Sequence, residues 1–354
     1  MQRFRSRHFG GALLLSMLAA GRAGAQTRWA TLDDFLARGV RLSAQELAAL
    51  DRGETIARVL PTGDGRDVAV FGAVQMNVSR AFFAERQRDI TRALKTATRT
   101  KVQRFSEPAV VGDVQLIDIT NDDLKALRDC RPNDCNFKLP ATDMQSFRAA
   151  MGSGAEAKSR AKAYAAQRMV EFVNDYRARG NAAMLMFDDR GSVRSSDALI
   201  GLLRDSSYVF SAVPSLGQHL IDYPRSTLPD ATDVIFWSRD EMPHLRPVLR
   251  ITHQTTYSPS DRTDVTVIAA KQIYANHYFE AGLEALAAVD RGASPSTGIT
   301  VVAIRRYRFD HLPSGGLLNI RGRVTNGLRD NVVADLKRLK RDAESDWSSR
   351  GVPR

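Results

Sequence analysis

Polar and aromatic side chains are unusually dense in the segment Lys271–Glu280. In a β-strand alternate residues share one face, and here those residues are Gln272, Tyr274, Asn276 and Tyr278. Tyrosine and amide groups directed into an apolar cavity would hold the polar end of a ligand. Cross-strand pairing on a solvated face explains the same pattern equally well.

The strand predicted over Arg246–Tyr257 adds candidates to this group, because its alternate residues also divide between two faces. Ile251 and His253 share one face of it. The expected walls of a ligand site are therefore Ile251, His253, Gln272, Tyr274 and Tyr278, with the terminal helix as a lid.

Histidines offer a second kind of chemistry, but none lies in an HxH or HExxH pair. Beyond the first 25 residues they are His219, His244, His253, His277 and His311. His253 and His277 could meet across neighbouring strands, which would favour a metal or acid–base role. Sheet histidines more often have their hydrogen bonds satisfied locally, so neither a metal nor a cofactor is predicted.

Ser159 and Lys162 form a Ser-x-x-Lys pattern on a predicted helix. With Ser196-Asp197 and Ser296-Thr-Gly298, this pattern resembles the three boxes of penicillin-recognising serine enzymes. That resemblance implies Ser159 as nucleophile and Lys162 as its activator. However, Ala198 replaces the expected asparagine, Ser296 replaces the expected lysine, and the first two boxes lie too close together. A non-catalytic protein is therefore favoured, with this enzyme class as the alternative.

The two cysteines, Cys130 and Cys135, are separated by four residues that include the turn formers Pro132, Asn133 and Asp134. A close pair in an exported chain usually forms a disulfide bond. Haem attachment and redox-active pairs both need two intervening residues, so a structural disulfide is predicted.

The N-terminus has the order of a secretory signal peptide. Three arginines precede the apolar run Ala12–Ala20, and Ala23-Gly-Ala25 supplies small residues for cleavage after Ala25. The apolar run is too short to span a bilayer, which needs about 20 apolar residues. We expect a soluble protein exported to the periplasm or secreted.

The composition is that of a globular protein, with 43% hydrophobic and 26% charged residues among 354. The formal net charge is +11, of which four charges are arginines of the predicted signal peptide. The remaining 47 basic residues against 40 acidic ones give +7, spread along the chain, and the densest basic cluster is Lys337–Arg341 on a predicted helix. An anionic membrane surface would suit this cluster, although a solvated helix face is the simpler explanation. No nucleic-acid motif accompanies the charge, so nucleic acid is not an expected partner.

Hydrophobic periodicity predicts two long helices, Ala155–Ala178 and Thr325–Glu344. Leu328, Val332, Leu336 and Leu339 form an apolar stripe on the second. From Asp230 onward the pattern changes to period two and predicts an antiparallel sheet. The predicted strands cover 233–238, 246–257, 264 to about 284, and 299–309, with 276–289 ambiguous between strand and helix.

This order of elements resembles the START-like helix-grip fold, also called the SRPBCC-type superfamily. Ala69–Phe83 resembles its first strand and first helix, and Gly315–Leu339 resembles the entry to its terminal helix. The resemblance implies a curved antiparallel sheet wrapped around the last helix, enclosing an apolar cavity for a lipid-like ligand. About 135 residues, from 97 to 231, exceed what that fold requires.

We therefore predict an α+β protein: a curved antiparallel sheet packed on a long C-terminal helix, with a mixed or helical insertion. The predicted segments are a signal peptide (1–25), N-terminal helices, first strands and first helix (26–96), the insertion (97–231), the sheet and C-terminal helix (232–345) and a disordered tail (346–354). The expected function is non-catalytic binding of an apolar or amphipathic small molecule. A structural envelope protein that binds another protein is a further alternative.

Overall fold

Ten strands and eleven α-helices make up the described part of the chain in the computed structural model, which covers residues 29, 31–96, 98–241, 246–292, 298–313 and 319–350. The strands are β1 (Ile56–Leu60), β2 (Asp67–Met76), β3 (Arg99–Arg104), β4 (Met186–Phe187), β5 (Val193–Arg194), β6 (Ala231–Asp240), β7 (Val248–Tyr257), β8 (Val265–Ala275), β9 (Phe279–Asp290) and β10 (Ile299–Phe309). The predicted signal peptide, His244, Ser296 and residues 351–354 of the predicted tail lie outside the described residues.

The helices are α1 (Leu32–Asp34), α2 (Ala44–Asp51), α3 (Arg80–Arg88), α4 (Ile90–Leu94), α5 (Asn121–Asp129), α6 (Ala141–Met151), α7 (Ala157–Arg179), α8 (Ser195–Asp205), α9 (Ser207–Phe210), α10 (Pro214–Asp222) and α11 (Ile320–Ser349). A π-helical turn, Phe35–Gly39, continues α1, and 3₁₀ turns occupy Val111–Val114 and Gly180–Ala183. None of the helices in these ranges is long and apolar enough to cross a membrane.

Eight strands form one open antiparallel sheet in the order β1–β2–β10–β9–β8–β7–β6–β3. The predicted α+β class is therefore confirmed. The sequence segment predicted as one strand from residue 264 to about 284 is two strands, because the chain turns at Asn276–Tyr278. Tyr278 has a left-handed backbone (φ 61°), and the Asn276 side chain accepts a hydrogen bond from the Leu249 backbone N–H at 2.8 Å.

Helix α11 packs on one face of the sheet through the predicted apolar stripe. Val332, Leu336 and Leu339 are buried, and they join a core with β2 and β10. Gly72 of β2 permits this close approach, since a Cβ atom there would lie 2.5 Å from a Val332 methyl group. The helix is longer than predicted at both ends and extends to Ser349, past the predicted boundary at residue 345.

A second helical layer covers the opposite face of the sheet. Helices α7, α8 and α10 bury residues such as Tyr176, Leu199 and Leu216 against Trp237 of β6 and Ile251 of β7. Helices α1 and α2 cover the remaining part of this face, beside β1, β2 and β10. The central strands thus lie between two helical layers, as in other layered α+β domains.

The predicted insertion is joined closely to the sheet. Its first strand, β3, pairs with β6 and forms the edge of the sheet. Its loop after α5 carries the Cys130–Cys135 disulfide bond, which confirms that prediction and is consistent with an exported protein. The backbone N–H of Asn133, within this loop, donates a hydrogen bond to the Asp188 carbonyl at 2.7 Å.

The basic cluster Lys337–Arg341 on α11 is partly engaged within the protein. The Lys340 ammonium donates to the Gln75 carbonyl at 2.7 Å and to Glu344 at 2.8 Å, which ties the helix to β2. Arg341 pairs with Asp342 at 3.1 Å. These contacts give part of the cluster a structural role.

Candidate ligand-binding site

A cavity of about 1070 Å³, counted to its open mouth, lies between the sheet and α11. Strands β6 to β10 form its floor, α11 forms one wall, and α3 with α4 forms the other. The walls carry apolar residues, Leu94, Val332, Leu336 and Leu339, together with the polar residues Gln87, Asp335 and Arg338. The floor combines apolar residues such as Phe236, Ile268 and Leu286 with a group of polar ones: Ser238, Arg250, Thr252, Gln254, Gln272, Glu284, Arg305 and Tyr307. A ligand here would meet both apolar surface and polar side chains.

The two-residue repeat of the strands places these polar groups together. In β7, Arg250, Thr252 and Gln254 face the cavity. The alternate residues Ile251 and His253 face the helical layer on the other side. The same alternation holds in β9, where Glu284 faces the cavity and Leu283 belongs to the opposite core.

Ion pairs hold the charged groups of the floor in place. Asp240 lies 2.7 Å from Arg99 and 3.2 Å from Arg250. Burial opposes the charge of Asp240, but the two guanidinium groups outweigh it and keep the pKa of this carboxyl below its usual value. Arg305 bridges Glu284 of the floor at 3.3 Å and Asp335 of α11 at 2.7 Å. The network therefore also fastens the helix to the sheet.

Tyr307 lies over this network and is part of it. Its hydroxyl donates a hydrogen bond to Glu284, and burial together with that carboxylate raises the pKa of the phenol. The Arg250 guanidinium lies 4.4 Å from the Phe279 ring and 5.2 Å from the Tyr307 ring. Gly282 leaves room for the phenol ring, since a Cβ atom there would lie 2.8 Å from Tyr307.

Two amide side chains in the cavity have atoms without a hydrogen-bond partner among the described residues. They are Nε2 of Gln87 on α3 and Oε1 of Gln272 on β8. Both residues are buried, with exposures of 6% and 5%. A buried polar atom left without a partner costs about 1–3 kcal/mol. The pair offers a ligand one donor and one acceptor.

Only one of the five residues predicted to bind a ligand, Gln272, lines this cavity. A β-bulge explains why Gln272 and Tyr274 do not share a face. Ile251 pairs with Tyr274 and Thr252 pairs with Gln272, so Ile273 is an extra residue in β8. Ile251 and Tyr274 instead line a cleft on the opposite face of the sheet.

The other two predicted residues, Tyr278 and His253, lie elsewhere. Tyr278 lies in the β8–β9 turn, and its hydroxyl accepts a hydrogen bond from the Arg246 backbone N–H at 2.9 Å. His253 is fully buried beneath α7 and belongs to a cluster of polar groups that the sequence did not reveal.

Asp233 is the centre of that cluster. It accepts hydrogen bonds from His253 Nε2 at 2.9 Å, Thr255 Oγ1 at 2.6 Å and His219 Nε2 at 3.1 Å. Burial disfavours its charge, but the bonds from the two histidines outweigh burial and lower the pKa of Asp233. His253 meets His219 through this carboxylate, whereas His277 lies apart and bonds the Asn136 carbonyl at 2.6 Å.

Each histidine of the cluster has a further partner on its Nδ1 atom. The Tyr176 hydroxyl lies 2.9 Å from His253 Nδ1, and Ser226 Oγ lies 3.0 Å from His219 Nδ1. Because burial lowers the pKa of His253 to about 4, its ring is neutral at pH 7; Nε2 donates to Asp233, and the Tyr176 hydroxyl donates to Nδ1. Ser226, His219 and Asp233 thus form a hydroxyl–imidazole–carboxylate chain, with the roles of the two ring nitrogens exchanged relative to serine hydrolases.

Lys271 lies beside the cluster and is completely buried. Its ammonium donates to the Leu220 carbonyl at 2.7 Å and lies 5.4 Å from the rings of Tyr176 and Tyr223. Burial lowers the pKa of Lys271 to about 7 and that of His253 to about 4. Both groups therefore bind protons less readily in the folded state than in the unfolded chain.

We expect the free energy of unfolding to depend on pH through these two groups. The folded state binds fewer protons, so stability is lost as pH falls from about 6.5 to 4 through His253. For the same reason stability rises between about pH 7 and 10.5 through Lys271. Urea unfolding across this range would measure both changes. Lys271→Met should abolish the rise in the free energy of unfolding at alkaline pH and keep the loss at acid pH. An unchanged rise at alkaline pH would contradict the assignment to Lys271.

Ser159 and Lys162 both lie exposed on α7, remote from the cavity lining. Ser196 is buried at the start of α8 and lies beside Asp197. Among the described residues, no group of three His, Cys, Asp or Glu side chains could hold a metal ion.

The charged floor could be anticipated only in part from the sequence. In β7 the alternate polar residues Arg250, Thr252 and Gln254 are visible as a two-residue repeat. Arg99, Gln87 and Asp335 carry no such signal, because tertiary contacts bring them to the cavity from distant parts of the chain. Comparison with protein-family models, curated proteins and solved structures found no significant match.

Proposed function

We propose that this chain is an exported, non-catalytic binding protein for an amphipathic small molecule. The ligand would lie between α11 and the sheet, with its apolar body against Val332, Leu336 and Leu339. Its polar end would face the floor around Gln272 and Arg250. This placement keeps α11 as the lid, as the resemblance to the START-like helix-grip fold implies. We also propose that the chain is distantly related to that superfamily.

The observation that carries the proposal is the pair of partnerless amide atoms at Gln87 and Gln272. Apolar residues of the same volume would avoid the cost of burying these atoms unpaired. Ligand sites combine an apolar lining with a few directed polar groups that orient the bound molecule. One donor and one acceptor in a partly apolar cavity fit a headgroup that both accepts and donates, such as a carboxylic acid, hydroxyl or amide.

The electrostatics of the floor support a polar, uncharged headgroup. The arginines at 99, 250 and 305 are paired with Asp240, Glu284 and Asp335, so most of their charge is compensated. Arg338 of α11 lies 3.9 Å from Asp335 and 3.8 Å from Asp342, so its charge is compensated as well. A charged headgroup would therefore meet no net excess of opposite charge.

Export is proposed from two features. The N-terminal sequence has the order of a signal peptide. The Cys130–Cys135 disulfide is stable in an oxidising compartment such as the periplasm and is rare in the cytosol.

Gln272→Leu should weaken ligand binding and also stabilise the folded protein. The leucine removes a buried unpaired oxygen, which we expect to raise the free energy of unfolding by about 1 kcal/mol. It also removes the acceptor for the ligand, which should weaken binding of a dansyl-labelled fatty acid about fivefold or more. Fluorescence titration and urea unfolding of the same preparation would measure the two effects.

Gln218→Leu is the matched control, since Gln218 is exposed on α10 and distant from the cavity. It should leave binding of the probe unchanged. A Gln272→Leu protein that is stabilised but binds the probe like the wild type would show that the amide serves no ligand. Native mass spectrometry after incubation with envelope lipid extract would then identify the class of natural ligand, or its absence.

A further inference from the structure

The opposite face of the sheet carries a second cavity, separate from the one beneath α11. It is a cleft of about 1030 Å³, counted to its open mouth, between helices α5 to α7 and strands β6 to β8. Its lining is dominated by apolar and aromatic side chains, among them Phe137, Phe147, Phe172, Trp237, Ile251 and Leu249. We infer that this cleft is a second binding site, which takes an uncharged, largely apolar small molecule.

The composition of the cleft favours a small molecule as its occupant. Ligand sites usually carry mainly hydrophobic and aromatic walls. They also occur preferentially where separate structural units meet. Here the helices of the predicted insertion meet the central sheet, and the wall residue Phe137 follows two residues after Cys135.

The charges at the cleft favour an uncharged ligand. Arg168 is paired with Asp143 at 3.2 Å and also with Glu171, Arg239 is paired with Glu241 at 2.9 Å, and Asp123 lies 4.0 Å from Arg246. Asp118 also lines the cleft, but it is exposed to solvent, which screens its charge. Paired rim charges leave little net attraction for an ion. This distinguishes the cleft from the α11 cavity, whose floor includes several charged and amide groups.

Tyr274 supplies the polar contact. Its side chain is directed into the cleft between the rings of Phe172 and Phe187, at centroid distances of 6.2 and 6.3 Å. No side chain in the described ranges forms a hydrogen bond with its hydroxyl. Burial raises the pKa of this phenol, so the hydroxyl stays protonated and available to a ligand.

The mouth of the cleft offers an apolar contact. Leu116 is 55% exposed and lines the cleft.

The test uses N-phenylnaphthylamine, an uncharged apolar fluorophore, with the purified full-length protein. Ala165→Trp should abolish saturable binding of this probe, because Ala165 lines the cleft and an indole would fill it. Ala163→Trp is the matched control, since Ala163 is exposed on the same helix outside the cleft. Tyr274→Phe should weaken binding about fivefold through loss of one hydrogen bond.

Gln272→Leu separates this inference from the proposed function, since Gln272 belongs to the other cavity. It should leave N-phenylnaphthylamine binding unchanged, even if the α11 cavity proves to bind nothing. Equal binding of the probe by wild type and Ala165→Trp would overturn the inference. So would a wild-type protein that shows no saturable binding.

Discussion

Replacing Gly72 by valine is expected to lower the free energy of unfolding by about 3 kcal/mol, the upper part of the usual range for overpacking. A Cβ atom at this position would lie 2.5 Å from Val332 Cγ1 and 2.8 Å from Leu336 Cδ1 of α11. Both neighbours are buried and cannot move aside freely. The helix must therefore shift away from β2.

A shifted α11 should also disturb the ligand cavity, because Val332 and Leu336 form its apolar wall. We expect probe binding to weaken together with stability. Gly65→Val is the control: a Cβ atom there meets nothing within 4 Å, and the residue lies in the turn before β2. If both valine variants are equally stable, the close approach of helix and strand has been misassigned.

Lys138→Met is expected to destabilise the protein by about 3–5 kcal/mol at neutral pH, the cost of leaving buried charge unpaired. Lys138 is only 3% exposed, and its ammonium lies 2.9 Å from Asp189 and 3.1 Å from Asp310. Methionine fills a similar volume but leaves two carboxylates facing each other without a cation. Urea unfolding would measure the loss.

The pH dependence distinguishes lost charge pairing from lost packing. Burial already raises the pKa of Asp189, even though Lys138 opposes that shift. Without the lysine the folded-state pKa should rise further, so the folded protein binds more protons than the unfolded chain. The defect of Lys138→Met should therefore shrink as pH falls through that pKa. A defect of constant size across pH would argue for packing alone. Lys158→Met, at an exposed position on α7, should be neutral.

The parts of the fold that depend on local periodicity could be predicted from the sequence. The helix predicted over Ala155–Ala178 forms as Ala157–Arg179, and the apolar stripe of α11 packs as its spacing requires. The Cys130–Cys135 pair could also be predicted, because turn formers bring two nearby cysteines together. In each case the information lies within a few residues of chain.

The arrangement of the candidate sites could not be predicted in the same way. A single extra residue, Ile273, interrupts the two-residue repeat and moves Tyr274 to the face opposite Gln272. Nothing in the residue types of β8 marks that bulge. The pair of Arg99 with Asp240 is also hidden, because it joins residues 141 positions apart in sequence. Such contacts depend on which strands become neighbours.

The two faces of β7 and β8 have a consequence for how this protein could change over time. Neither strand exposes a whole face to solvent. Residues facing one way line the α11 cavity, and those facing the other way line the cleft, as Ile251 and Tyr274 do, or lie in the buried cluster around Asp233, as His253 does. A substitution at Thr252 alters the α11 cavity, and a substitution at Ile251 alters the cleft. Substitutions in the shared strands can therefore change the ligand selectivity of each site independently. Insertion or deletion of one residue in either strand would instead turn its side chains to the opposite face and so change the lining of the α11 cavity and of the cleft together.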